Sequence, residues 1–145
     1  MVSYAPCPEC LRLNKISIPN LQKGSAPVCG ACKTPIPFEE GVVALSGSGL
    51  SKLIDKSPLP VIVDFWAPWC GPCRMFAPTF KKVAADLAGK YVFAKLDTEA
   101  NPMAGDLFRI RSIPTLAIFR GGLEVARQSG ALQEGDFRAF IASSR

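Results

Sequence analysis

Thirteen residues near the middle of the chain, Val61 to Cys73, read VIVDFWAPWCGPC, and they limit the possible folds more than any other stretch. Val61 to Trp66 is β-branched and aromatic, a composition suited to a strand buried on both faces. From Cys73 to about Leu87 a helical pattern follows, with Phe76, Phe80, Val83, Ala84 and Leu87 recurring on one side. Pro78 inside that pattern predicts a kink. A strand that runs through a Cys-x-x-Cys turn directly into a helix calls for a sheet covered by helices.

The flanking sequence extends this plan. Val42 to Leu45 reads as a short strand and Leu50 to Asp55 as a helix, which Pro58 and Pro60 stop. Tyr91 to Leu96 and Thr115 to Phe119 read as strands, with a short helix over Met103 to Phe108 between them. Gly121-Gly122 signals a hairpin turn into Leu123 to Arg127, and a final helix spans about Glu134 to Ser143 with Phe137, Phe140 and Ile141 on one face. The expectation is an α/β body with a central mixed sheet covered on both faces. Ahead of it, Lys33 to Gly41 holds alternating prolines that resist helix, and reads as a short linker. It divides the chain into a leader, residues 1–38, with few large apolar side chains, and a body, residues 39–145.

With 145 residues, 48% of them apolar, the chain can build a core without cysteine staples, so its six cysteines need a local reason. The amino terminus, MVSYAPC, lacks a basic region followed by an apolar stretch, and no secretion signal is read there. The apolar runs fall far short of the roughly 20 residues that cross a bilayer. A cytoplasmic protein without a membrane partner is expected, and there Cys-x-x-Cys pairs point to metal binding or redox catalysis. The net charge of +5 splits into +3 over residues 1–38 and +2 over the remainder, without a basic run. Nucleic acid is therefore not an expected partner. The absence of histidine excludes it as ligand, base or triad member.

Cys70, at the start of the helix, faces unpaired backbone N–H groups and the positive end of the helix dipole, which lower a thiol pKa from about 8.5 toward roughly 7. It is the expected nucleophile. Cys73 lies within disulfide reach and faces solvent less, so it can resolve a mixed disulfide. Gly71 and Pro72 bring no charge beside the thiolate, which predicts a reducing couple.

The segments VDFWAPWCGPC, AKLDTEANP and IRSIPT, in this order, resemble the thioredoxin family over about residues 40 to 145. The resemblance implies the thioredoxin fold and general protein-disulfide reductase activity on disulfide-containing proteins. It implies electrons from NADPH through a thioredoxin reductase, no bound organic cofactor, and a monomer. Position by position, Asp64 matches the family's buried acid beneath the cysteines and Lys95 the lysine near it. A carboxyl group in an apolar strand has a raised pKa, which suits a proton shuttle. Pro114 matches the family's cis-proline facing the disulfide, and Trp69, Gly71, Pro72, Ile113, Gly130 and Ala131 match the apolar rim where an extended substrate lies. Trp66 reads as packing support, and Arg74 retains the charge of a lysine found in many members.

The leader contributes Cys7-x-x-Cys10, eighteen residues, then Cys29-x-x-Cys32, within the spacing of a zinc site. Four thiolates complete a tetrahedral shell and leave no position for water, so the expected site holds one structural zinc. Two disulfides, or loosely ordered reduced cysteines, are the alternatives, and iron can occupy the same sulfurs. A zinc-ribbon domain ahead of a thioredoxin domain resembles the thioredoxin-2 class. Besides the disulfide reductase, two further readings stand. The ribbon could be a docking module for a partner with the body as regulator, or a sensor that releases zinc when its cysteines are oxidised.

Overall fold

The computed structural model describes residues 1–24 and 26–144. The chain opens with a hairpin of β1 (Val2–Pro6) and β2 (Leu13–Ser17), in antiparallel register with Tyr4 opposite Lys15. The Ser17 hydroxyl caps a short helix, α1 (Ile18–Gln22), by accepting from the Asn20 N–H, and Pro19 sits in the first turn where no N–H is needed. There follow β3 (Phe38–Glu39), β4 (Val42–Ala44), α2 (Gly47–Lys56), β5 (Val61–Trp66), α3 (Gly71–Asp86), β6 (Val92–Asp97), α4 (Pro102–Leu107), β7 (Thr115–Arg120), β8 (Leu123–Ser129) and α5 (Glu134–Ser143). Strands β3 to β8 form one mixed sheet in the order β3-β4-β6-β5-β7-β8, with β4, β6 and β5 parallel and the other pairings antiparallel.

Two apolar layers hold helices to this sheet. On one face Ile62, Phe93, Leu116 and Ile118 pack against Phe76, Phe80, Val83 and Ala84 of α3 and against Phe137 and Ile141 of α5. The Phe76 and Phe137 rings meet edge to face at 5.2 Å, and Phe80 stacks on Phe137 at 5.7 Å. On the other face Val61, Val63, Phe65, Val92, Ala94 and Leu96 meet Leu50 and Leu53 of α2 and Ala104 of α4. α3 continues through Pro78, whose missing N–H leaves the Arg74 carbonyl without its intrahelical partner. Among the described residues no helix is long and apolar enough to cross a membrane.

The leader is built differently from the reading of its sequence. Ala5, Ile16 and Ile36 are buried in the same cluster as Val43, Leu45, Leu50 and Leu53, so the hairpin shares the core on the α2 side of the sheet. Tyr4, Leu13 and Leu21 pack against this cluster as partly buried side chains, and the body supplies the rest. The stretch 33–41, expected as a linker, is packed: the Ile36 N–H donates to the Pro27 carbonyl, and β3 adds an edge strand to β4. Pro35 and Pro37 favour extended backbone, and an edge strand uses that conformation as readily as a linker does. The chain turns at Glu40 (φ 51°) and Gly41 (φ 83°), where left-handed backbone favours glycine.

Candidate active site and metal centre

The side chains of β5 alternate, and this decides what lies under the cysteines. Val61, Val63 and Phe65 face α2, whereas Ile62 faces α3 and α5. By the two-residue period Asp64 and Trp66 share the face of Ile62, beneath the helix that carries the cysteines. Asp64 is 4% exposed, and burial pushes its carboxyl up to about 7 against the opposing pull of Lys95. Its Oδ1 has no hydrogen-bond partner among the described residues, and neither has Trp66 Nε1. Lys95 stands opposite Asp64 in the β5–β6 register, with its ammonium 5.4 Å from the centroid of the Trp66 ring. A carboxyl group poised near neutrality can take up and release a proton at physiological pH.

Cys70 is the N-cap of α3, and its Sγ accepts from the Cys73 N–H at 3.2 Å. The two residues form a disulfide with Cα atoms 5.2 Å apart, inside the range that a disulfide spans without moving the backbone. Both are buried, so little accessibility separates them in this oxidised state. Gly71 and Pro72 form the first turn, where proline costs no hydrogen bond. Trp69 next to them is 66% exposed.

Strand pairing brings the remaining rim to this turn. Phe65 lies opposite Thr115, so the two residues before Thr115 arrive beside the end of β5. There the Ile113–Pro114 peptide bond is cis, and the Ile113 carbonyl oxygen lies 3.8 Å from Cys70 Sγ, where a Cys70 thiol could donate to it. The Gly130 N–H donates to the Pro114 carbonyl at 2.8 Å, and Gly130 takes φ +93°, a conformation that favours glycine. Ile113 and Gly130 are half-buried, Ala131 is exposed and Pro114 is buried. Sequence reasoning missed the Ile113 carbonyl and the Thr115 hydroxyl, which donates to the Ser112 carbonyl at 2.6 Å. A backbone carbonyl has no code, and Thr115, although it closes the IRSIPT segment, shows no hydrogen-bonding role in the sequence.

The four leader cysteines converge as two copies of one turn. The Cys7 N–H donates to the Arg12 carbonyl and the Leu11 N–H to the Cys7 carbonyl. In the second copy Cys29 pairs with Thr34 and Lys33 with Cys29 in the same way. Leu11 (φ 64°) and Lys33 (φ 66°) occupy the matching left-handed position in each. The N–H groups of Glu9 and Cys10 point at Cys7 Sγ, and that of Ala31 at Cys29 Sγ, each at 3.4 Å. The Cys29 thiol is lowered to about 6 by the Cys32 backbone, with help from Ala31. All four sulfurs lie within 4.8 Å of one another, with Cys7 and Cys32 at 3.4 Å and Cys10 and Cys29 at 3.7 Å. A tetrahedral thiolate shell with metal–sulfur bonds of about 2.3 Å places its sulfurs ~3.8 Å apart, so these four cysteines could hold a metal ion. They are distant in sequence from the helix start that carries Cys70, and the two knuckles match each other: in each the first cysteine is buried and the second exposed.

Comparison with known proteins agrees with this geometry. The thioredoxin family model matches residues 41–143. The chain is 44% identical over 137 residues to thioredoxin C-3 of Corynebacterium nephridii, covering 93% of this chain and 90% of that protein. A match of that length takes in most of the leader. It is also 38% identical over 105 residues to the thioredoxin of Allochromatium vinosum, with 72% and 98% covered, and 53% identical over 88 residues to that of Synechocystis, with 61% and 82% covered. The chain belongs to the thioredoxin family and is a thiol–disulfide oxidoreductase acting on protein disulfides.

Proposed function

We propose that the protein is a thioredoxin of the thioredoxin-2 class. A zinc-ribbon unit, residues 1–38, is joined to a thioredoxin domain, residues 39–145, that reduces protein disulfides in the cytoplasm. The observation that carries this reading is the Cys70–Cys73 pair at the amino terminus of α3, above the buried Asp64 carboxyl.

In the reduced protein the Cys70 thiolate attacks one sulfur of a substrate disulfide. A mixed disulfide forms, and the first substrate sulfur leaves as a thiolate that takes a proton from solvent. Asp64, as the carboxylate, accepts the proton of the Cys73 thiol, and Lys95 beside it favours that charged form. The Cys73 thiolate then attacks Cys70 Sγ, closes the intramolecular disulfide and expels the second substrate thiolate. Two electrons have moved to the substrate, and NADPH supplies two more through a thioredoxin reductase to reduce the Cys70–Cys73 disulfide again. Trp69, Gly71, Pro72, Ile113, Pro114, Gly130 and Ala131 form the rim on which an extended substrate segment rests. Gly71 and Pro72 add no charge beside the thiolate, which keeps the couple reducing.

Cys7, Cys10, Cys29 and Cys32 would hold one zinc ion. A closed shell of four thiolates supplies a cross-link between the two knuckles, and such sites contribute roughly 10 to 16 kcal/mol of binding free energy to folding. The paired knuckles and the sulfur spacing support this assignment.

Replacing Cys73 with serine tests the order of attack. Cys70 still attacks, but nothing resolves the product, so covalent adducts with disulfide proteins accumulate and reducing agent releases them. If Cys73→Ser forms no adducts and Cys70→Ser forms them instead, the roles are reversed.

A further inference from the structure

The loop from α4 to the rim, residues 108 to 114, is fastened from the edge strand β8 and the residue that follows it. Near its end the Gly130 N–H holds the Pro114 carbonyl. At its start a single guanidinium does the same work with different atoms. Arg127 on β8 donates through Nη1 to the Arg109 carbonyl at 3.1 Å and through Nη2 to the Phe108 carbonyl at 2.7 Å. The other edge of its fork is held by Glu124, with Nε to Oε2 at 3.1 Å and Nη2 to Oε1 at 2.7 Å. The carbonyls it takes lie just past the carboxyl end of α4, which has no basic residue in its last turn and is capped by Phe108.

The clamp acts where the backbone is constrained. Arg109 takes φ +54°, which an arginine adopts only when its surroundings impose it. Phe108 before it is wedged between Phe65 at 5.6 Å and Phe119 at 5.9 Å. From that fixed point four residues lead to Ile113, whose carbonyl lies against Cys70 Sγ. The fork geometry matters because only a planar guanidinium can grip a carboxylate on one edge and two backbone carbonyls with its remaining donors.

We propose that Arg127, oriented by Glu124, is a positioning residue for disulfide exchange: it sets the path of residues 109–113 and so the placement of Ile113 and Pro114 for a protein substrate. The inference rests on the reading of Ile113–Pro114 as the substrate rim. It touches no reacting atom, so its effect falls on substrates that lie along the rim and not on the chemistry of the sulfurs.

The test compares Arg127→Lys, Arg127→Gln and Ile113→Ala in two assays, reduction of insulin disulfides and reduction of a small aromatic disulfide, dithiobis(nitrobenzoic acid). For both Arg127 variants KM for insulin should rise about five- to tenfold with kcat within about twofold, while the rate with the small disulfide stays within about twofold. Lysine should rescue little, since it keeps the charge but loses the fork. Amide exchange at residues 109–113 should quicken in step with the KM. If Ile113→Ala raises KM for insulin but the Arg127 variants do not, the positioning role is wrong while the rim stands. If Ile113→Ala leaves KM unchanged, the rim reading falls and the inference falls with it. Equal loss with both substrates would make Arg127 a stability residue and also overturn the proposal.

Discussion

Burial under α3 keeps the Asp64 carboxyl neutral to about pH 7, while in an unfolded chain it ionises near its ordinary value of 3.8. The folded-state pKa is raised, so the stabilisation from the neutral form is complete below about pH 4 and is lost as pH rises through about 7. The difference between 3.8 and about 7 corresponds to ~4 kcal/mol, with little discount for solvent screening because the group is nearly fully buried. Asp64→Asn should therefore unfold at higher urea concentration than the parent at pH 8, by up to about 4 kcal/mol, and at nearly the same concentration at pH 4. The same change should slow closure of the Cys70–Cys73 disulfide most near neutral pH, where the parent carboxyl can accept a proton. Equal stability at both pH values would show that Asp64 is hydrated in the folded protein. An unaltered pH–rate profile would leave it a structural residue.

Among the elements, the hairpin β1–β2 changes most between expectation and structure. Strands β5, β6 and β7 and helices α3 and α5 are legible because their apolar residues repeat with periods of two or about 3.6, and Cys70 and Cys73 stand at the junction of two such patterns. The leader shows no comparable pattern, since Ala5, Ile16 and Ile36 are widely spaced and find their partners on β4 and α2. Long-range burial of this kind leaves no local period. It does leave an energetic consequence: Ile16→Ala should destabilise the body by about 2–3 kcal/mol. Both tryptophans, Trp66 and Trp69, lie in the body, so urea unfolding followed by their fluorescence reports that change directly. An unshifted midpoint would mean that the hairpin folds apart from the sheet.

In the whole molecule one spacing occurs in two different surroundings, and the proposed division into disulfide exchange and metal binding rests on what each pair meets there. Cys70 and Cys73 occupy a helix start over a buried acid, where one sulfur differs from the other and exchange is favoured over coordination. The leader pairs lie in two matching knuckles without a helix start, where four sulfurs converge on one point. The motif spacing made the clustering of the four leader cysteines legible, whereas the shared core did not appear in it. Because Ala5 and Ile16 are packed into the body, metal removal should lower the melting temperature of the whole chain and leave the exchange site intact below it. The most direct measurement is zinc content beside insulin-disulfide reduction for two double variants, with tryptophan fluorescence as the check that each is folded. Cys29→Ser/Cys32→Ser should lose stoichiometric zinc and keep most of the reductase activity, and Cys70→Ser/Cys73→Ser should lose all activity and keep one zinc per chain. A folded Cys29→Ser/Cys32→Ser protein without activity, or a Cys70→Ser/Cys73→Ser protein without metal, would contradict the division.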